Sequence, residues 1–317
     1  MKRLLRATAV LLVLGLPIAC TATLGQGDPY SPTPGVTPAP GATTSTTGET
    51  RLPTPQEDRV IVVFHPAYLG VYSKEAAAAP GRIEAILKEL RGVPGFIFTE
   101  PEPASVEDIR RVHTQRQIDY VKSKGDELYN TALLSAGGAV LAAELAMAGE
   151  VSMAINRPPG HHASPDFSRG YCYFNNIAIA VTKLLDEEKI QSALIVDLDL
   201  HFGDGTSKIF DNPQDDDPRV TYYHFAMEGD GTYRVRYLEA FLSRTKGYDI
   251  LAVSAGFDAG KEDWGGILEI QDYKTMGTLL RKAAEANCGG RRFAVLEGGY
   301  NDKVLGKNVR AFLDGFR

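Results

Sequence analysis

Three side chains able to bind a metal occupy alternate positions of one short stretch: Asp197, Asp199 and His201. They follow Ala193-Leu194-Ile195-Val196, an apolar run that reads as a buried strand. In extended backbone, residues two apart face the same way, so the three project together where that strand ends. Gly203-Asp204-Gly205 then lets the chain turn away. A carboxylate is costly to bury without a compensating partner, and two on one face of an apolar strand call for a cation. The plainer alternative is a polar strand end turned to water. Open α/β sheets bind ligands at the carboxyl ends of their strands, which favours a site.

Other apolar runs end in groups that could join it. The run 151–155 leads through Arg157-Pro158-Pro159-Gly160 to His161 and His162. A lone histidine is usually a core or surface group. Two neighbouring imidazoles behind a stiff turn are harder to dismiss, because imidazole titrates near neutral pH and suits proton transfer. The run 249–255 leads to Asp258 between glycines, and 292–296 leads through Gly298 and Gly299 to Tyr300. A tyrosine beside paired glycines sits where backbone can approach a ligand closely. One assembled site explains these strand ends better than separate coincidences.

The elements that must position these groups follow from periodicity. Strands are expected over 60–64, 151–155, 193–196, 220–225, 249–255 and 292–296. Helices are expected over 81–91, 105–112 with Ser105 as N-cap, 118–128, 135–148, 233–244, 272–285 and 304–316. Another, opened by Asn175 or Asn176, runs through Leu185. Strands alternating with helices imply an α/β fold of three layers, an open parallel sheet with helices on both faces. All the reactive strand ends then share one carboxyl edge. His113 reads as structural and Cys172 as buried and inert. His65 is either a rim group of the site or a capped surface group.

Bulk properties narrow the function. The chain has 317 residues, 44% of them hydrophobic and 23% charged, an ordinary globular balance. A net charge of −6 gives no electrostatic reason to expect nucleic acid as partner. Cys20, Cys172 and Cys288 make neither a disulfide framework nor a thiolate cluster. Lys2, Arg3 and Arg6 precede an apolar stretch over 7–16, the pattern of a secretory signal too short for a membrane span. Leu16 to Cys20 resembles a bacterial lipoprotein signal, with Pro17 where an aliphatic residue is usual. Residues 1–20 are therefore expected to be an export signal of lipoprotein type. Residues 21–56, rich in Pro, Thr, Gly and Ser, read as a disordered tether. Residues 57–317 form the globular domain. The expected location is the cell envelope, with a lipid anchor as the sole membrane contact, or otherwise the periplasm or medium.

Five of these stretches, 157–163, 170–176, 197–206, 254–260 and 296–301, resemble the histone deacetylase superfamily in that order. That superfamily includes acetylpolyamine amidohydrolases and bacterial deacetylase-like amidohydrolases, on the arginase/deacetylase fold. The resemblance runs from His65 to the C-terminus. It implies that Asp199, His201 and Asp258 hold a catalytic Zn²⁺, with Fe²⁺ also compatible. It makes His161 and His162 a tandem general base and acid, supported by Asp197 and Asp204 respectively. Tyr300 would donate to the substrate carbonyl, the Gly170 carbonyl would accept the substrate N–H, and Tyr171 would wall the channel. K⁺ is expected near Asp197. The implied activity is hydrolysis of an acetyl or similar acyl amide of a lysine- or polyamine-like amine, and export argues against histone as the substrate. The chain departs from the pattern at Phe202, where many members carry histidine, at Trp264, where proline is common, and over 225–248, which is short. Two other readings compete: a catalytically weak surface-anchored binding protein, and a two-metal ureohydrolase, for which ligand candidates are too few.

Overall fold

A computed structural model describes residues 59–211, 217–225 and 229–317. The export signal and tether expected over 1–56 lie outside the described residues. The first strand, β1 (Val60–Val63), is followed after Phe64 by His65. The His65 Nδ1 accepts the Ala67 N–H at 3.1 Å, so His65 caps the 3₁₀ turn Pro66–Leu69. Then follow α1 (Arg82–Leu90), β2 (Phe96–Thr99), α2 (Val106–Arg110), α3 (Gln115–Lys122), α4 (Asp126–Met147) and β3 (Ser152–Ala154). The second half comprises α5 (Asn176–Asp186), β4 (Ala193–Asp197), α6 (Asp204–Phe210), β5 (Val220–His224), α7 (Gly231–Arg244), β6 (Ile250–Ala255), α8 (Ile270–Cys288), β7 (Arg292–Leu296) and α9 (Asp302–Phe316).

The strands form one sheet in the order β2-β1-β3-β7-β6-β4-β5. Every pairing is parallel. Successive residues of a strand feed opposite faces, as the pleat requires. In β4, Leu194 and Val196 join a core with α1, α7, α8 and α9, while Ala193 and Ile195 join a second core with α2, α3, α4 and α5. This is the expected three-layer α/β arrangement, buried on both faces as parallel sheets are.

Two helix boundaries differ from expectation. The helix expected over 118–128 is broken: α3 stops at Lys122, and Gly125 turns the chain at φ 109°. Asp126 and Glu127 then favour a new helix start, where acidic side chains meet the positive end of the helix dipole. The helix expected from 135 therefore begins at Asp126. It is long and apolar enough to pass as a membrane span, yet most of it is buried against α5, β3 and β7, and it reads as a core helix. The strand β2 has no counterpart among the expected elements. It is a four-residue edge strand with Ile97 exposed, too short to show a period.

Sheet order creates the site. The strands β3, β7, β6 and β4 are scattered along the chain but adjacent in the sheet. Their carboxyl ends deliver His161 and His162, Tyr300, Asp258, and Asp199 with His201 to one edge.

Candidate active site

The ligand atoms of Asp199, His201 and Asp258 all lie within 4.8 Å of one another. Each carboxylate is aimed by backbone. Asp199 Oδ2 accepts the Gly298 N–H at 2.8 Å, and Asp258 Oδ1 accepts the Leu200 N–H at 2.9 Å. A side chain at Gly298 would bring its Cβ to 2.6 Å from Asp199 Oδ2, so glycine is required for that approach. The remaining oxygen of Asp258, Oδ2, is buried and without a hydrogen bond. His201 Nδ1 lies 2.8 Å from it but off the line of a hydrogen bond, a disposition that suits atoms sharing a central cation. Electrostatics agree. The carboxylates of Asp199 and Asp258 beside it draw the His201 imidazole up to about 10. Burial, then the Asp199 charge, pushes Asp258 up to about 6. Burial alone would raise Asp199, yet the imidazoles of His161 and His201 hold it below the usual range. Two buried carboxylates and an imidazole on one point fit a divalent metal with N/O ligands.

The tandem histidines stand beside this group. His161 Nδ1 lies 3.1 Å from Asp197 Oδ2, and His162 Nδ1 lies 2.7 Å from Asp204 Oδ1. Each imidazole thus has one nitrogen committed and Nε2 left for chemistry. The two environments differ. Burial depresses His162 to about 4, against the opposing pull of Asp204. Burial would depress His161 too, but Asp199 and Asp197 outweigh it and raise that imidazole. The His162 ring is 6.1 Å from the His201 ring. Gly170, at φ 59°, packs so closely that a Cβ there would stand 2.3 Å from His162 Cδ2.

Tyr300 closes the other side. Its ring meets that of Tyr171 edge-on at 6.1 Å, and burial pushes its phenol up. Tyr171 has φ 67°, a left-handed conformation that bulky residues rarely adopt and that clusters at functional sites. Cys172 is buried with its thiol raised by burial, in keeping with an inert role. His113 is structural: Nδ1 pairs with Ser164 O at 3.0 Å and Nε2 accepts the Asn175 N–H at 2.9 Å. Asn175 in turn caps α5.

Several contributors are not among the residues singled out from the sequence. Tyr222 donates its hydroxyl to Asp197 Oδ2 at 2.9 Å, and Arg169 reaches Asp204 at 3.0 Å. The buried Arg82 of α1 donates to the carbonyls of Gly299 (2.7 Å) and Glu297, tying down the Tyr300 loop. Glu297 is fully buried, and burial pushes it up to about 7. Its Oε2 accepts the N–H groups of Gly160 (2.7 Å) and His161 (3.1 Å), and Ser254 Oγ lies 3.3 Å from Oε1. It belongs to a second cluster of potential ligand atoms with His161 and Cys172, but its carboxylate is already spent on backbone. The available signal was an acidic residue directly after the apolar run 292–296. Glu297→Ala strands two buried donors at about 1–3 kcal/mol each. Unfolding by denaturant should show about 2–6 kcal/mol lost. Glu297→Gln, which keeps an acceptor oxygen, should recover much of that.

The sequence profile of the histone deacetylase domain matches residues 76–233 and 226–316. A protein of Methanothermobacter thermautotrophicus described as a probable deacetylase is 30% identical over 81% of this chain and 90% of its own length. A histone deacetylase-like amidohydrolase of Pseudomonas aeruginosa is 29% identical over 69% of this chain and 71% of its own. The crystal structure of the HDA15 HD domain superposes with a TM-score of 0.66 at 23% identity, covering 82% of this chain and 90% of that one.

Proposed function

The chain belongs to the histone deacetylase family, a hydrolytic deacetylase lineage, and from that premise we propose that it cleaves the acyl amide of a linear amine by metal-assisted hydrolysis. The observation that carries this reading is the convergence of Asp199, His201 and Asp258 on one point beside the paired His162 and Asp204. Those three residues would hold Zn²⁺ or Fe²⁺, which when bound supplies a Lewis acid for the amide carbonyl and lowers the pKa of water. His162, neutral and with Nδ1 committed to Asp204, takes the water proton at Nε2 and returns it to the leaving amine nitrogen. Asp197 keeps the His161 ring in place beside it. The Tyr300 hydroxyl donates to the carbonyl oxygen as negative charge develops there. The Gly170 carbonyl accepts the amide N–H, and Tyr171 walls the approach. A K⁺ ion near Asp197 belongs to the same proposal.

The substrates we favour are acetylated polyamines, acetylated peptides or similar amides met outside the cytoplasm. The signal-like pattern over 2–20, with Cys20 as a lipid attachment point, supports that location. The test is acetate release from Nε-acetyl-lysine amide and N-acetylputrescine by the metal-loaded protein. Release is expected, and Tyr300→Phe should lower kcat by about 10²–10³. A folded, metal-loaded protein that releases no acetate from either would end this reading.

A further inference from the structure

The strand β5 lies at the edge of the sheet, beside β4. Its Tyr222 and His224 are two residues apart and so share one face. Both reach the stretch from Asp197 to His201. The Tyr222 hydroxyl donates to Asp197 Oδ2 at 2.9 Å, and His224 Nε2 lies 3.0 Å from the Asp199 carbonyl oxygen. Phe202 covers both rings edge-on, at 6.0 Å from Tyr222 and 5.5 Å from His224, and turns its other side to water. The Tyr222 ring is thus held between the sheet edge and an aromatic cover, with its hydroxyl directed inward. Burial pushes its phenol well above the ordinary range, so it remains a donor.

What that hydroxyl holds is the carboxylate behind His161. Asp197 is fully buried. Its Oδ1 accepts the Asp199 N–H at 3.0 Å, and its Oδ2 is shared between Tyr222 and His161 Nδ1, the latter at 3.1 Å. Among the described residues, His161 and Tyr222 are the side chains bonded to this carboxylate. Asp204, behind His162, differs: it is partly exposed and has the Arg169 guanidinium beside it. The last torsion of an aspartate is soft, so its plane is set by the donors it meets. Asp199 N–H fixes one oxygen of Asp197, and Tyr222 fixes the other independently of His161. The three polar groups are also crowded onto Gly203. A Cβ there would stand 2.5 Å from the Tyr222 hydroxyl and 3.1 Å from His161 Nδ1. We propose that Tyr222 is a positioning residue of the reaction, which sets the His161 ring beside His162 by holding the plane of Asp197; this rests on the acyl-amine hydrolase reading above. The bland alternative is that the Tyr222 ring merely packs the sheet edge, a task phenylalanine would do as well.

Tyr222→Phe keeps the ring and removes the donor. In the zinc-loaded protein it should lower kcat on Nε-acetyl-lysine amide by about tenfold, with KM and bound metal unchanged. Made in a His161→Ala background, the same substitution should change the single-turnover rate by less than about twofold, because the route through His161 is already gone. The same tenfold loss in both backgrounds would mean that Tyr222 acts by another path and overturn the proposal. So would an unchanged kcat, or loss of metal from Tyr222→Phe. A second readout needs no turnover. The proton that His161 Nδ1 shares with Asp197 should give a downfield proton NMR signal, identified by its absence from His161→Ala. Tyr222→Phe removes the competing donor on Asp197 Oδ2 and should shift that signal, leaving the corresponding His162 signal where it was. Signals that both stay in place would leave Tyr222 a packing residue and overturn the proposal. If the native protein releases no acetate from any acetylated amine, the hydrolase reading fails. The NMR signal then decides alone: a shift confined to His161 supports the hold of Tyr222 on that ring, and no shift removes it.

Discussion

His162→Ala is expected to lower kcat on an acetylated amine by about 10²–10⁴ while leaving the bound metal in place. His162 Nδ1 is engaged by Asp204 at 2.7 Å, so Nε2 is the nitrogen available to a water proton. Burial depresses this imidazole to about 4, which keeps it neutral at working pH and able to accept that proton. Its ring lies near that of His201 but is not one of the atoms converging on the ligand point. The variant should therefore bind metal like the native protein and fold normally, because alanine removes a polar ring without stranding a buried charge. Metal analysis beside single-turnover kinetics separates the roles. Loss of metal in His162→Ala would mean that the division between ligands and acid–base groups is wrong.

Asp258→Asn should act in the opposite way, removing the metal first and activity with it. Removing a residue that only supports a ligand typically weakens metal binding by about 10–100-fold, so a ligand itself should cost more. Asp258 is wholly buried, with Oδ2 directed at the shared point and Oδ1 held by Leu200 N–H. Asparagine keeps the shape but offers a neutral donor where a second negative charge is needed. Metal that binds the folded state alone raises thermal stability by mass action. The native protein should accordingly gain melting temperature when metal is added, and Asp258→Asn should gain little. A full metal complement in that variant would remove Asp258 from the ligand set.

Much of this was legible in the sequence because parallel sheets concentrate chemistry at one edge. Apolar runs marked β1, β4, β6 and β7, and the polar residues just beyond them marked the site. The alternate spacing of Asp197, Asp199 and His201 pointed to one face but could not divide their work. Structure divides it: Asp199 and His201 meet Asp258 from another strand, while Asp197 turns to His161. The pairings of Asp197 with His161 and Asp204 with His162 span long chain separations. No local pattern reports them, and they were implied by resemblance to a family.

What stayed hidden was of three kinds. The edge strand β2 is too short for periodicity to show. The break between α3 and α4 rests on one left-handed glycine within a helical pattern. Glu297, Tyr222 and Arg82 act through backbone groups or buried carboxylates brought near only by folding. Trp264 could be noticed as an unusual residue beside Asp263. Its stacking on Tyr300 depends on two loops from different strands meeting.

In the proposed reaction one metal ion, held by Asp199, His201 and Asp258, is needed for amide hydrolysis. The direct measurement is to strip the protein with a chelator, add Zn²⁺ or Fe²⁺ back in steps, and follow acetate release from Nε-acetyl-lysine amide. Activity should vanish on stripping and return linearly, levelling off at one ion per chain. Undiminished activity in the stripped protein, or recovery that requires two ions per chain, would contradict it.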